Sequence, residues 1–147
     1  MSRVFIIGYQ ESLPDAVHGT LAAAGVRLLV DVRAVAASRR PGFSKRQLAA
    51  GIATVGIDYR HLRALGTPPD GRLAARTGRY DELRRIYEAH LATDTAQAEL
   101  DELARLVTAG PPVCLLCFER HADHCHRRLL GERLAERLGV EVVDLLP

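Results

Sequence analysis

The sequence is poor in the residues and patterns that mark secreted, disulfide-rich and membrane-spanning proteins. Its 147 residues include three cysteines, one methionine and no tryptophan. Three cysteines are an odd and sparse set, which fits free thiols or a site better than a disulfide framework. No apolar run approaches the roughly 18 residues that a spanning helix needs, and the apolar stretch near the N-terminus is too short for a signal peptide. We therefore expect a cytoplasmic protein with no membrane partner.

Hydrophobic residues make up 48% of the chain and charged residues 26%, which predicts one domain over residues 1–147. The net charge of +2 conceals an asymmetry: residues 1–80 carry twelve Lys and Arg against five Asp and Glu, and residues 81–147 carry eight against thirteen. Only Lys45 is a lysine. Guanidinium groups suit bidentate binding of phosphate or carboxylate, although a compositional bias toward arginine explains the same excess.

Short apolar runs alternate with helical periodicity along the chain. We predict strands over residues 4–8, 28–32, 56–59, 113–118 and 140–145. The first helix is expected to take Ser12 as its N-cap, and Ser44 with Gln47 matches a capping box for the second. Residues 65–78 are rich in Gly, Pro and Arg and are predicted to form a loop.

Two helices are predicted in the C-terminal half of the chain. One begins near Asp94. The other, which is the last helix, is expected to have Asp123 as its cap and to end at Gly139. Buried strands that alternate with helices are typical of a mostly parallel sheet. We therefore predict an α/β protein, a single three-layer domain with a mostly parallel sheet covered by helices on both faces.

In open α/β sheets, ligands bind outside the carboxyl ends of the strands. Polar residues follow three of the predicted strand ends and define a candidate cleft: Tyr9; Asp31, Arg33, Ser38 and Arg39; Cys117 and Glu119. We expect these side chains to lie at one edge of the sheet. For Asp31 and Arg33, a structural ion pair is the alternative to a role in the site.

The cysteine spacing favours thiol chemistry over a metal site. Cys114 and Cys117 have the spacing of a zinc knuckle, but residues three apart in a strand point to opposite faces. Cys114 is therefore predicted to be a core residue, and no metal ligands are predicted. Cys125 is expected in the first turn of the last helix, where the helix dipole and neighbouring basic residues stabilise a thiolate. It is the better nucleophile or redox candidate, with an inert thiol as the alternative.

Glu119 lies between two cysteines and near basic side chains. It is a candidate general acid or base, or a salt-bridge partner that orders the turn.

Several short motifs occur in the order seen in one known family: Phe5-Ile-Ile-Gly-Tyr9, Val30-Asp-Val-Arg33, Ser38-Arg39, Gly56-Ile57 with Tyr59, Leu116-Cys-Phe-Glu119 and Cys125-His-Arg127. The chain thus resembles the domain-of-unknown-function 488 family over nearly its whole length. The resemblance implies a compact α/β domain with its motif residues at strand ends, but it implies no substrate. It adds Tyr59, His126 and Arg127 to the candidate site. Ala36, Thr67 and Asp144 depart from the residues common in that family.

We therefore predict an enzyme that acts on an anionic, phosphate-containing substrate, a nucleotide or nucleic acid among them. Arg33, Arg39 and Arg127 would bind the anion, with Ser38, Tyr9, Tyr59 and His126 beside it, and Asp31, Glu119, Cys125 and Cys117 would lie nearest the chemistry. One alternative is a nucleic-acid-binding module without catalysis. Another is a rhodanese-like sulfurtransferase or redox protein that uses Cys125 or Cys117. The sequence defines neither a cofactor nor an oligomeric state.

Overall fold

The computed structural model describes residues 2–120 and 125–147. Its strands are β1 (Arg3–Gly8), β2 (Leu28–Asp31), β3 (Asp58–His61), β4 (Val113–Cys117) and β5 (Glu141–Leu145). Its α-helices are α1 (Pro14–Ala23), α2 (Lys45–Ala53), α3 (Pro69–Arg76), α4 (Tyr80–Leu91), α5 (Asp94–Thr108) and α6 (His126–Leu138). A 3-10 turn over Arg63–Leu65 follows β3.

The five strands form one parallel sheet in the order β3-β2-β4-β1-β5. Side chains of the three central strands are buried on both faces because alternate residues enter two separate cores. Ile7 and Leu116 pack on one face with α1 and α2, whereas Ile6 and Leu115 pack on the other with α4, α5 and α6. The predicted three-layer α/β architecture is confirmed.

The chain order creates a switch point between β1 and β4. From β1, the chain crosses through α1 toward β2. From β4, it crosses through α6 toward β5, on the opposite face and in the opposite direction. Connections that diverge from neighbouring strands leave a crevice at their carboxyl ends. The ends of β1 and β4 are Gly8 and Cys117, which lie side by side in the register.

Several local predictions are wrong at their boundaries. The N-cap of α1 is Leu13 rather than Ser12, because Pro14 occupies the first helical position, where its missing N–H costs nothing. Ser44 is the N-cap of α2 as predicted, but its hydroxyl bonds with Ser38 instead of capping the helix. Strand β3 begins at Asp58 rather than at Gly56.

Helix α3 lies inside the segment predicted to be a loop, because Pro69 and Asp70 supply the fixed φ and the N-terminal charge that begin a helix. Gly139 ends α6 with a φ of 69°, as predicted. The predicted cap Asp123 lies outside the described residues. Among those that are described, no helix has the length and apolar character needed to cross a membrane.

Candidate functional site

The first polar group at the strand ends is a closed cluster around a buried ion pair. Arg33 Nε donates to Asp31 Oδ1 at 2.9 Å, and its Nη2 lies 2.7 Å from Oδ2. Arg33 Nη1 donates to the Tyr9 hydroxyl at 3.1 Å and to the carbonyl of Phe43 at 2.7 Å. The Tyr59 hydroxyl donates to Asp31 Oδ2 at 2.5 Å. We call Tyr9, Asp31, Arg33 and Tyr59 the ion-pair cluster.

The ion-pair cluster has little capacity left for a substrate. Each carboxylate oxygen of Asp31 accepts two hydrogen bonds, from the Arg33 backbone N–H and Nε, and from Arg33 Nη2 and Tyr59. Burial alone would lower the pKa of Arg33, but its hydrogen bonds and the charge of Asp31 outweigh burial and raise that pKa. Burial and the Asp31 hydrogen bond also raise the pKa of Tyr59. The geometry therefore favours the structural alternative for Asp31 and Arg33.

The second group is formed by the two cysteines nearest the crevice. Cys117 is the last residue of β4, and Cys125 is the N-cap of α6, where its sulfur accepts from the backbone N–H of Arg127. The two sulfurs are joined as a disulfide, whereas the cysteine count favoured thiols or a site over a disulfide framework. The chain returns from the end of β4 to the start of α6, which brings the two sulfurs together. Cys125 also caps the helix rather than lying within its first turn.

Cys114 behaves as predicted and points into the opposite core. It is free, fully buried, and packed with the cluster that covers α1 and α2. Burial raises the pKa of its thiol well above the ordinary value.

His126 and Glu119 flank the cysteine pair. His126 Nε2 lies 2.7 Å from the backbone carbonyl of Val32, and its Nδ1 lies 3.6 Å from Cys125 Sγ. Burial lowers the pKa of His126 to about 4, so the ring is neutral at pH 7. Glu119 Oε2 lies 3.4 Å from Cys117 Sγ. A neutral imidazole, two sulfurs and a carboxylate thus meet at the end of β4.

Arg127 holds the segment that follows β4. Its side chain is fully buried, and Nη1 and Nη2 donate to the carbonyls of Glu119 at 2.5 Å and of Arg120 at 3.0 Å. Burial lowers the pKa of Arg127, a shift that the charge of Asp144 opposes. A Cβ atom at Gly8 would lie 1.7 Å from the Glu119 carbonyl oxygen, so this close approach requires glycine. Arg127 and Gly8 together place Glu119 beside the cysteines.

A cleft of about 520 Å³ opens over these groups. The cysteine pair, Glu119 and His126 line it from the end of β4 and the start of α6. Arg72 and Arg76 line it from α3, and Arg39 lines it from the segment between β2 and α2. Arg72 also donates to the carbonyl of Thr67 at 2.9 Å. Within the described chain, Arg39 and Arg76 are exposed and have no hydrogen-bond or ion-pair partner. These two guanidinium groups are available to a ligand.

The cleft brings together eight of the eleven residues predicted for the site: Tyr9, Arg33, Ser38, Arg39, Cys117, Glu119, Cys125 and His126. Asp31, Tyr59 and Arg127 lie outside its lining. Of the three arginines predicted to bind an anion, Arg33 and Arg127 direct their donors to groups inside the protein, and Arg39 is open to the cleft.

Two cleft residues that the sequence did not indicate lie on α3. Arg72 and Arg76 line the cleft from that helix, but the segment has the composition of a loop. Pro69 followed by Asp70 was the available signal, since proline and an acidic residue are common in the first turn of a helix.

The fold and site define a three-layer α/β domain with a cysteine-lined cleft at its switch point. The family model for the domain of unknown function DUF488 matches residues 13–134, so the chain belongs to that family. No curated protein and no solved structure matches the chain.

Proposed function

We propose that the protein is an enzyme that binds a small anionic substrate in the cleft and transforms it beside the cysteine pair, Glu119 and His126. The observation that carries the proposal is the composition of the cleft. Arg39, Arg72 and Arg76 line the same space as the cysteine pair, His126 and Glu119. Groups that suit anion binding and groups that suit chemistry thus border one cleft.

The charge balance of the cleft favours an anion. Asp31 neutralises Arg33 inside the ion-pair cluster. Among the lining residues that the structure describes, three further guanidinium groups then accompany one carboxylate, that of Glu119. Cations confined to one cleft repel one another, and a bound anion relieves that repulsion. Guanidinium groups also donate in pairs to phosphate, sulfate or carboxylate oxygens.

The size and apolar contacts of the cleft favour a small molecule over a long nucleic acid. Its volume of about 520 Å³ lies within the range of small-ligand sites, roughly 300–1,000 Å³. Val35, Leu83 and Phe118 add apolar surface to its lining. A nucleotide or another small organic anion would use both kinds of surface.

Anion binding is tested by thermal denaturation at low ionic strength with inorganic phosphate, pyrophosphate and a nucleoside monophosphate. At least one of them should raise the melting temperature, since a ligand that binds only the folded state adds about 2.7 kcal/mol at a hundred times its Kd. The double variant Arg39→Ala, Arg76→Ala should lose the increase. Arg105→Ala, an exposed change on α5, is the matched control. If no anion shifts the melting of the wild type, the proposal is wrong.

A second candidate is dithiol–disulfide exchange, which the Cys117–Cys125 disulfide favours. The Cys125 thiolate would attack a substrate disulfide and release one substrate thiol. Cys117 would then displace the second thiol, so that two electrons and two protons pass to the substrate and the protein disulfide forms. An external dithiol would reduce the protein again.

The exchange reaction is tested with a small aromatic disulfide as substrate and dithiothreitol as reductant. Catalysed reduction that Cys125→Ser abolishes and Cys114→Ala retains would support this candidate. A wild-type rate equal to that of dithiothreitol alone would exclude it.

A further inference from the structure

Three potential metal ligands converge at the base of the cleft. Cys117 Sγ, Cys125 Sγ and one ring nitrogen of His126 all lie within 4.8 Å of one another, and all three residues are buried. They come from the end of β4 and the start of α6. This set differs from the knuckle spacing of Cys114 and Cys117, since Cys114 lies in the opposite core.

The hydrogen bonds of His126 identify the nitrogen that is free. A backbone carbonyl only accepts, so the 2.7 Å contact with the Val32 oxygen requires the proton on Nε2. Nδ1 therefore presents its lone pair, and it lies 3.6 Å from Cys125 Sγ. Metal-binding histidines commonly donate their second N–H to a backbone carbonyl in this way, which fixes the ring orientation and the tautomer.

The surroundings of the two sulfurs suit thiolates. The Arg127 backbone N–H lies 3.5 Å from Cys125 Sγ, and Arg127 Nη1 lies 3.4 Å from Cys117 Sγ. N–H groups and a positive charge stabilise a thiolate, the form that binds metals. The Cα atoms of the two cysteines are 7.4 Å apart, beyond the usual disulfide range of about 4.4–6.8 Å. A bridging ion accommodates this wider spacing.

We infer that the reduced protein binds one zinc-type divalent ion through Cys117 Sγ, Cys125 Sγ and His126 Nδ1. Two sulfurs and one imidazole are the ligand types that zinc prefers, and three protein ligands leave a fourth position for water or substrate. That position faces the cleft, because all three ligand residues line it. Disulfide and metal complex are alternative states of the same two sulfurs.

The inference deepens the proposed function, because an anionic substrate would reach the ion directly. Glu119 borders the same space, with Oε2 3.4 Å from Cys117 Sγ. Its carboxylate would serve as the general base that accepts a proton from a water molecule on the ion. The reaction class would then be hydrolysis, with water as the second reactant. The water oxygen would form a bond to the electrophilic phosphorus or carbon of the substrate, and the bond from that atom to the leaving group would break. The proton taken up by Glu119 would pass to the leaving group.

Metal binding is tested on full-length protein reduced with a phosphine. Samples are incubated with Zn²⁺ or Co²⁺, freed of excess ion by gel filtration and analysed for metal content. We expect one ion per chain, and the Co²⁺ form should show sulfur-to-cobalt charge-transfer absorption. Cys117→Ser, Cys125→Ser and His126→Asn should each lose stoichiometric binding, whereas Cys114→Ala should retain it. Protein oxidised to the disulfide should bind no ion.

X-ray absorption of the wild-type zinc form supplies a measurement that no variant can confound. Two sulfur ligands and one imidazole would support the site. The site would be overturned if the reduced wild type bound no stoichiometric metal, or if the spectrum showed no sulfur bonded to the zinc. The double variant Arg39→Ala, Arg76→Ala should keep one ion per chain while losing the response to anions, so the metal site and the anion site fail independently.

Discussion

Two regions of the molecule use arginine in opposite ways. In the ion-pair cluster, Arg33 is 6% exposed and donates to Asp31, Tyr9 and the Phe43 carbonyl. On the rim of the cleft, Arg39 and Arg76 are exposed and lack partners within the described chain. The residue type is the same, but the burial and the number of internal acceptors differ. Arginine close to a cleft is therefore weak evidence for ligand binding until its partners are known.

Arg127 shows how a buried arginine with internal partners can shape the cleft. It is as buried as Arg33, yet its strongest contacts are the carbonyl oxygens of Glu119 and Arg120 rather than a carboxylate. Arg127 Nη2 lies 3.9 Å from Asp144 Oδ1. A charged side chain is used here to hold a backbone segment, and that segment carries Glu119 into the cleft.

Removing the acid of the ion-pair cluster should have the largest effect on stability. Asp31→Ala leaves the Arg33 guanidinium buried without its counterion, which costs about 3–5 kcal/mol in comparable cases. Urea denaturation measures the loss. Arg39→Ala on the rim should change the free energy of unfolding by less than about 0.5 kcal/mol.

A double-variant cycle sharpens this comparison. Arg33→Met should rescue part of the loss in Asp31→Ala, because it removes the orphaned charge. Equal losses of unfolding free energy in Asp31→Ala and Arg39→Ala would contradict the distinction between buried, paired arginines and exposed arginines of the cleft.

Gly8→Ala should give the next largest loss. The new methyl would collide with the Glu119 carbonyl and approach Arg127 Nη1 to 3.0 Å, so the segment after β4 must move. Overpacking of this kind costs roughly 1–3 kcal/mol, and it should also weaken zinc binding by the reduced protein. Melting curves and metal analysis report both effects.

Gly19→Ala is the matched control. Gly19 lies within α1 with nothing within 4 Å of the added Cβ, so alanine should raise stability by about 0.5–1 kcal/mol. A Gly8→Ala protein as stable as the wild type would show that the close approach to Glu119 is dispensable.

The layers of the fold could be predicted because a strand buried on both faces is an uninterrupted apolar run in the sequence. Runs such as residues 4–8 and 113–117 are apolar throughout, since both of their faces are covered. The strand ends followed from this pattern, and with them the position of the cleft. The helix α3 was missed because its composition is that of a loop and its signal was confined to Pro69 and Asp70.

The sequence could not show which residues of the site have structural roles and which are open to a ligand. The motif containing Asp31 and Arg33 is the same whether the pair binds a substrate or forms an internal ion pair. The difference lies in Tyr9, Tyr59 and the Phe43 carbonyl, which come from distant parts of the chain. Pairing of Cys117 with Cys125 likewise depends on the return of the chain to the start of α6.

Tyr59→Phe should have a modest effect of about 1 kcal/mol, the usual value of one hydrogen bond. Asp31 keeps its three bonds to Arg33 in this variant. The pKa of Tyr59 is raised in the folded protein, so the unfolded chain loses this proton first as the pH rises. The stability contributed by Tyr59 is therefore complete below about pH 10 and declines above it. Urea denaturation at pH 7 and pH 10.5 should show a weaker alkaline loss in Tyr59→Phe, and equal losses would contradict the assignment.

The last prediction concerns the reactivity of the three thiols in the reduced wild-type protein, and it involves no change in the free energy of folding. All three cysteines are buried, but Cys117 and Cys125 border the cleft. Cys114 lies in the core beneath α1 and α2, and burial raises its pKa. Because the thiolate is the reactive form, iodoacetamide should modify Cys117 and Cys125 in the folded state and Cys114 only at the rate of unfolding. Peptide mass spectrometry separates the three sites. Zinc should protect Cys117 and Cys125 and leave the slow rate at Cys114 unchanged. Rapid modification of Cys114 would mean that β4 does not direct this side chain into the core, and modification of the cleft thiols that zinc does not slow would count against the metal site.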